Sequence, residues 1–562
     1  MKLINIVMIA SILMLVVGIG LADTGGFTVR SGQNITMQGG KILNSPNGTS
    51  ETDLMTVVQG FKPGVVLSRS AGIGVDFLLD GVADDVQIES ALSAYKTVYI
   101  QNDASNSKIM LAGSIDIPTT PGEYRLIGLP NKAGHKPTIL PTTEVAMISG
   151  YWRGSNFEIS GLHFNAAGKN IWILTQNRGG NLYVHDNQFE GVVQSTTTIK
   201  GAVSADSNAD SNNLIKWQNI IIERNNFTNI TGIPIHTWTN TGYSNVQSKI
   251  DIRNNFIYRC KLQGSASSYG MIHTKFAGIY ENTILACTNG TNFIEYGIHA
   301  QGSRIIGNTI IGIGNGICPQ YRCTVIGNTI KFANQCGINN WYSDGSTYIG
   351  NVITDCGQGS TEPPNGWDRV GIDLADHSFN VTVIGNSLGN VASGITDTFR
   401  VAATAGNNYI EPTLVTNWYP NMNISLDIGG THEYVQSTYI DVPARRIYLN
   451  TNLAYSHDVG DAVAGVDRQL WGIGVGVTGY GGESMYVAGN TFYGNLFGSV
   501  GDGYATASQS LIPYSYIEGW NYTSLATAPS ARKIPITYYD TAAQKYYLAT
   551  NTAAGWKKVE IA

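Results

Sequence analysis

The sequence predicts an all-β solenoid with a short N-terminal capping helix and a β-rich C-terminal extension. Three observations predict it. The chain has 562 residues but only 13% charged residues, with 66 Gly, 30 Tyr and 17 Pro. That composition suits tight turns and β-structure, and it lacks the Glu-, Lys- and Ala-rich stretches of long helices. A short phrase recurs along the middle of the chain: VHDNQF (184–189), IERNNF (222–227), DIRNNF (251–256), IYENTI (279–284), IIGNTI (305–310), VIGNTI (325–330), YIGNVI (348–353) and VIGNSL (383–388), with a weaker copy GNNYI (406–410). The spacing never falls much below 20 residues and often exceeds it. A coil of fixed circumference has a constant core length, so surplus residues must leave as loops at the turns.

Within the phrase, apolar residues flank a polar pair. The apolar positions are expected to point inward and stack on the coil below. The aligned Asn residues are read as Asn187, Asn225, Asn254, Asn282, Asn308, Asn328, Asn351, Asn386 and Asn407. Asn tolerates the left-handed backbone that a sharp corner needs, and stacked Asn side chains can hydrogen-bond between coils.

These copies, roughly 185–410, resemble the right-handed parallel β-helix of the pectate-lyase-like superfamily, with less regular coils upstream (NFEISGLHF, 156–164). The segment FLLDGVADDVQIESALSAYKTVYI (77–100) is similar to the opening of many such proteins, where a short helix caps the first coil. Asp84 and Asp85 then read as an N-capped helix start, with Val86, Ile88 and Leu92 on its apolar side, rather than as a catalytic carboxylate pair.

The flanks carry their own signals. Residues 3–21 are apolar and uncharged, after Met1-Lys2 and before Ala22. This fits a secretory signal cleaved after Ala22, with an uncleaved membrane anchor as the alternative. The expected location is secreted or cell-surface, and N-x-[ST] sequons at Asn34, Asn47, Asn226, Asn229, Asn289, Asn380, Asn423 and Asn521 agree with a glycoprotein. Residues 32–60 resemble a small unit of viral tail fibres, carried by Met37, Lys41-Ile42, Asn44 and Thr52-Asp53. KIPITYYDTAAQKYYLATNTAAGWKKVEI (533–561) reads as three strands with turns at Thr541–Gln544 and Thr552–Gly555, and resembles the ends of such fibres. The expected organisation is a signal or anchor at 1–22, a small fibre-like module at 23–75, the β-helix at 76–410, a β-rich extension at 411–529 that is either a resumed β-helix or a sandwich, and a small β module at 530–562. The fibre-like ends suggest a homotrimer. A net charge of −6 and no basic block exclude a nucleic-acid partner.

A second phrase follows each turn: GIPIHTW, GMIHTK, GIHAQG, GICPQY, GINNWY, GIDLAD and GITDTF. Strand alternation puts the residue after each Ile on the outer face, stacking His236, His273, His299, Cys318, Asn339, Asp373 and Thr396 in one column. The three His suit a solvated stack, glycan-binding groups or metal ligands. Three rungs span ~10 Å, too far for one zinc unless the side chains converge, so no metal is assigned. Trp238, Tyr321, Trp341, Tyr342 and Trp367 follow the column at similar offsets and are expected to offer sugar-stacking platforms. Asp373, Asp376 and Asp397 form the candidate catalytic carboxylates, since rungs one or two apart give glycosidase separations. The polygalacturonase and pectate-lyase signatures are absent, so the resemblance implies the fold and not the activity.

No cofactor is expected; no motif indicates Ca²⁺. The six Cys lie between Cys260 and Cys356, and the pairs Cys260/Cys287 and Cys336/Cys356 are candidate disulfides. The functional expectation is an extracellular protein that recognises polysaccharide or a cell-surface glycan, built like a tailspike or adhesin. The alternatives are a polysaccharide lyase or glycoside hydrolase acting near Asp373, and a structural cell-surface stalk.

Overall fold

In a computed structural model, the described residues run from 64 to 502 apart from short segments, chiefly 206–216, 238–246, 263–268, 288–294, 359–368 and 476–484; they also include strands within 27–53 and 516–561. Residues 1–22 lie outside the described residues. Coil after coil adds one strand to each of three parallel sheets, which hold 15, 12 and 12 described strands. One coil is Arg304–Ile306, Thr309–Ile313 and Asn315–Gln320; the next is Thr324–Ile326, Thr329–Lys331 and Ile338–Asn339. Ile305, Ile310 and Ile317 stack on Val325, Ile330 and Ile338. Parallel crossovers of this kind are right-handed, so the chain is a right-handed parallel β-helix.

The aligned Asn residues do form a ladder, with two corrections. It runs Asn187, Asn225, Asn255, Asn282, Asn308, Asn328, Asn351, Asn386 and Asn490. Asn254 is one residue out of register, because Ile222 pairs with Ile252 and so Asn225 with Asn255. Asn407 belongs to another module. The left-handed corner residue is also not the ladder Asn but the one before it: Asp186, Arg224, Asn254 and Glu281 in the earlier coils, then Gly307, Gly327, Gly350, Gly385 and Gly489. The ladder Asn points inward, where its amide links the coils on either side.

The cap helix, α1, spans Asp84–Tyr95. Its N-cap is Ala83, with no side-chain cap. Asp84 and Asp85 instead accept backbone N–H bonds from Met110, Ala112 and Gly113 of the first coil. They are buried fasteners between cap and coil. Ile88 and Leu92 are buried, whereas Val86 is exposed. The coils begin at Val65–Ser68, which pairs with Thr97–Gln101, earlier than the expected boundary at 76.

The region after 390 holds an inserted antiparallel sheet and then further coils. A six-stranded antiparallel sheet between Thr396 and Gly465 has its own core of Phe399, Trp418, Ile424, Leu426 and Val463. The β-helix then resumes: Trp471–Val475 pairs with Val370–Asp373, and Tyr486–Ala488 with Thr382–Ile384. The inserted sheet docks on the side of the coils, with Tyr419 stacked on Phe332 at 5.1 Å and Gln436 Nε2 donating to Asn334 Oδ1 at 3.2 Å. At the chain ends, Phe27–Arg30, Asn34–Gln38, Lys41–Asn44 and Glu51–Asp53 form one antiparallel sheet. Ile536–Asp540, Lys545–Thr552 and Gly555–Ile561 form another.

Candidate functional site

The predicted outer column exists in the third sheet over most of its length. His236 pairs with His273, His273 with His299, His299 with Cys318, and Asn339 with Asp373. Its continuation differs: Asp373 pairs with Gly474, while Thr396 and Asp397 sit in the inserted sheet opposite Ala464 and Val463. Asp397 accepts the backbone N–H groups of Thr398 and Leu414, a turn-fixing role. Asp373 and Asp397 are therefore not brought together as a carboxylate pair, because the insertion carries Asp397 out of the solenoid. Asp376, Trp238, Trp341 and Trp367 lie outside the described residues.

Burial also changes the character of the column. His273 and His299 are only 2% and 7% exposed. Tyr269 meets the His273 ring edge-on at 4.5 Å, and Tyr296 lies 5.4 Å from His299. Burial pulls the His236 pKa down to about 4 and lowers that of His273 well below the usual histidine range. Burial thus holds the His236 and His273 imidazoles neutral at neutral pH, and His273 and His299 present little open surface. Tyr321 and Tyr342, by contrast, are 46% and 38% exposed and adjacent, with the Tyr321 N–H donating to the Tyr342 carbonyl at 3.1 Å.

All six cysteines are buried free thiols. Cys260 and Cys287 occupy equivalent places on neighbouring coils, since Tyr258 pairs with Leu285, and their thiols interact. Cys356 aligns with Ala333, three residues before Cys336, since Lys331 pairs with Thr354. Burial pushes the Cys323 thiol up to about 11 and Cys287 well above the ordinary thiol value. A thiol reagent at pH 8 is therefore expected to find no fast-reacting cysteine in the native protein and six after denaturation without reductant. Four or fewer after denaturation would reveal a disulfide.

A second cluster, which the sequence reading missed, occupies the outer face of the first sheet. Strand alternation creates it. Leu126, Phe157, Ile159, Leu182, Val184, Ile220, Ile222, Ile250 and Ile252 point into the core. Their neighbours form two outward rows. One row is Arg125, Glu158, Tyr183, Ile221 and Asp251; the other includes His185, Glu223 and Arg253. An open cleft of ≈ 270 Å³ lies over the first row, bordered by Glu123, Asn156, Asn181 and Asn219.

The side chains around the cleft are cross-linked. The Tyr183 O–H donates to Glu223 at 2.5 Å, and Arg224 and Arg253 donate to the same carboxylate. Arg224 also bonds Asp186 at 2.8 Å. His185 lies 2.7 Å from Asp186 and 3.3 Å from Glu158, and its ring stacks on Tyr183 at 4.0 Å. Burial alone would lower the His185 pKa, but the hydrogen bonds to Glu158 and Asp186 outweigh it and raise the value. The bond from His185 holds Glu158 below the usual carboxylate range. Burial and the bond to Glu223 raise Tyr183. The result is a fixed face of carboxylates, guanidinium groups, amides and one aromatic pair. It can donate to and accept from hydroxyl groups while an apolar ring face rests on Tyr183.

A signal for this site was present in the corner residues. Five later coils place Gly at the left-handed position. Asp186 and Arg224 hold the same backbone conformation with charged side chains, which costs on the order of 1 kcal/mol each. The Asp186 and Arg224 side chains join the cleft network, whereas Asn254 and Glu281, at the same corner of the next two coils, take no part in it among the described residues.

No protein-family model matches the sequence. No curated protein matches it either. Among solved structures, tailspike protein 3 of bacteriophage CBA120 is 13% identical, covering 95% of this chain and 85% of that one with a TM-score of 0.38. The A-module of the Azotobacter vinelandii mannuronan C-5 epimerase AlgE4 is 10% identical, with 79% and 98% coverage and a TM-score of 0.37. The Acinetobacter baumannii phage AM24 tailspike is 10% identical, with 79% and 92% coverage and a TM-score of 0.25.

Proposed function

We propose that this protein is an exported, tailspike- or adhesin-like β-helix that recognises polysaccharide or a cell-surface glycan. The observation that carries the reading is the first-sheet cleft, where Tyr183, Glu123, Glu158, Arg125 and three Asn side chains line one open surface, with the buried Glu223 anchoring Tyr183. Hydroxyl-rich ligands need paired donors and acceptors beside an aromatic platform, and a rigid sheet holds both without an ordering cost. Export rests on the apolar run at residues 3–21; among the described residues no helix is long and apolar enough to cross a membrane. Assembly as a homotrimer rests on the fibre-like ends and is checked by native mass measurement.

The functional test is a panel of neutral and acidic polysaccharides assayed for binding, for new reducing ends and for unsaturated-uronate absorbance. Binding to a subset of the panel without either product is the expected result. Turnover would move the assignment to a polysaccharide-cleaving enzyme. Neither binding nor turnover would favour a structural stalk.

A further inference from the structure

The three-histidine stack is not used by the cleft, and its geometry suggests a separate role. We propose that His236, His273 and His299 form an acid-sensitive latch that loosens the third sheet when protonated, while the other two sheets hold. The rings lie on consecutive rungs with centroids 4.9 and 5.0 Å apart, tilted to one another by 32° and 41°. His236 Nδ1 and His273 Nδ1 are 2.9 Å apart, so one ring donates an N–H and the other accepts it. That bond requires at least one neutral ring. Once both are protonated, each nitrogen is a donor and two positive charges face one another across one rung.

The surroundings sharpen the effect. Trp172 lies 5.9 Å from His236, and Tyr269 and Tyr296 flank the other two rings. Lys275, two residues along the same strand as His273, is itself buried and adds a repelling positive charge. Beyond His299 the column continues with Cys318 and Asn339 before the first carboxylate, Asp373, about three rungs of ~4.8 Å away. The carboxylate of Glu295, next to Tyr296, accepts the Leu262 N–H. The equivalent inter-coil fastener at the corner after the first sheet is the Asn ladder, which does not titrate.

The sign follows from linkage. His236 and His273 have folded pKa values below the ordinary 6.5. Their contribution is complete above that value and is lost as pH falls below it, because the opened state takes up protons that the closed state refuses. With the His236 value at about 4, one such ring favours opening by roughly 20-fold between pH 7 and pH 5.

Hydrogen exchange on the full chain at pH 7 and pH 5, corrected for intrinsic rates, tests the latch. Amides of 233–237, 270–275 and 296–301 are expected to lose at least about tenfold in protection, while those of 250–253, 277–280 and 304–306 keep theirs. Equal protection at both pH values, or a uniform loss in both groups, overturns the proposal. In the His236→Phe/His273→Phe/His299→Phe triple variant the aromatic column remains without titratable rings, and the pH dependence of the third-sheet amides is expected to disappear. Its persistence would also overturn the proposal. The wild-type comparison decides the matter if that variant does not fold.

Discussion

Replacing Asn308 by alanine is expected to destabilise the solenoid by about 3–5 kcal/mol, read as a fall in the urea midpoint. Asn308 is fully buried, and its side chain serves three coils. Its Oδ1 accepts both the backbone N–H and the amide of Asn282, at 2.9 and 3.0 Å. Its Nδ2 donates to the carbonyl oxygens of Ile279 and Ile306 and to Asn328 Oδ1. Alanine leaves several of these groups buried without a partner, and each orphan costs about 1–3 kcal/mol before any relaxation. Asn308→Asp separates shape from chemistry. It retains the acceptors but removes the donors, and sets a carboxylate against the oxygens of Ile279 and Asn328. It is expected to be at least as damaging at neutral pH. Thr309→Ala, on the outward side of the same turn, serves as the control and is expected to change stability by no more than about 0.5 kcal/mol. A loss below about 1 kcal/mol in Asn308→Ala would mean that the ladder is ornament and the apolar stack alone holds the coils.

The solenoid was legible because its cause is periodic. Each coil must present an apolar residue before and after the same corner, so the pattern survives loops of any length. The register error at Asn254 arose because two adjacent Asn follow Arg253; only the pairing of Ile222 with Ile252 distinguishes them. Asn407 was a coincidence of composition in an Asn-rich chain. The insertion hid the true ninth rung, Asn490, which lies 104 residues beyond Asn386. The His column was legible as a column, because alternation fixes which side of a strand a residue takes. Whether that side meets solvent depends on what packs over it, which alternation does not encode. The first-sheet cleft escaped for a related reason. Its residues come from five strands at variable positions between the repeated apolar ones, and only the register of neighbouring coils lines Arg125, Glu158 and Tyr183 into one row. The non-Gly corner residues Asp186 and Arg224 were the available clue. Their apolar flanks match the repeat, so the departure shows only against the Gly that later coils place at the same corner.

Glu223→Ala is expected to lower affinity for whichever glycan the wild type binds by about 10- to 100-fold, equivalent to about 1.4–2.7 kcal/mol. Glu223 is buried under its partners and organises the cleft: Tyr183, Arg224 and Arg253 all converge on its carboxylate. Without it, two guanidinium groups and the phenol lose their common anchor, and binding must then order three side chains that the wild type holds in place. The fold should tolerate the change. The side chains of Arg224 and Arg253 are 46% and 43% exposed, so water can solvate them once released. The thermal midpoint is therefore expected to shift little while binding falls, a split that a purely structural role would not produce. Glu223→Gln tests the charge separately: the amide keeps one acceptor for the Tyr183 hydroxyl but pairs poorly with two cations, so its affinity should fall between the alanine variant and the wild type. Arg304→Ala, an exposed change on the same sheet three coils beyond Glu223, should bind as the wild type does. If the wild type binds a glycan and Glu223→Ala binds it equally well, the contact surface lies elsewhere on the molecule, and the exposed pair Tyr321 and Tyr342 becomes the next place to substitute.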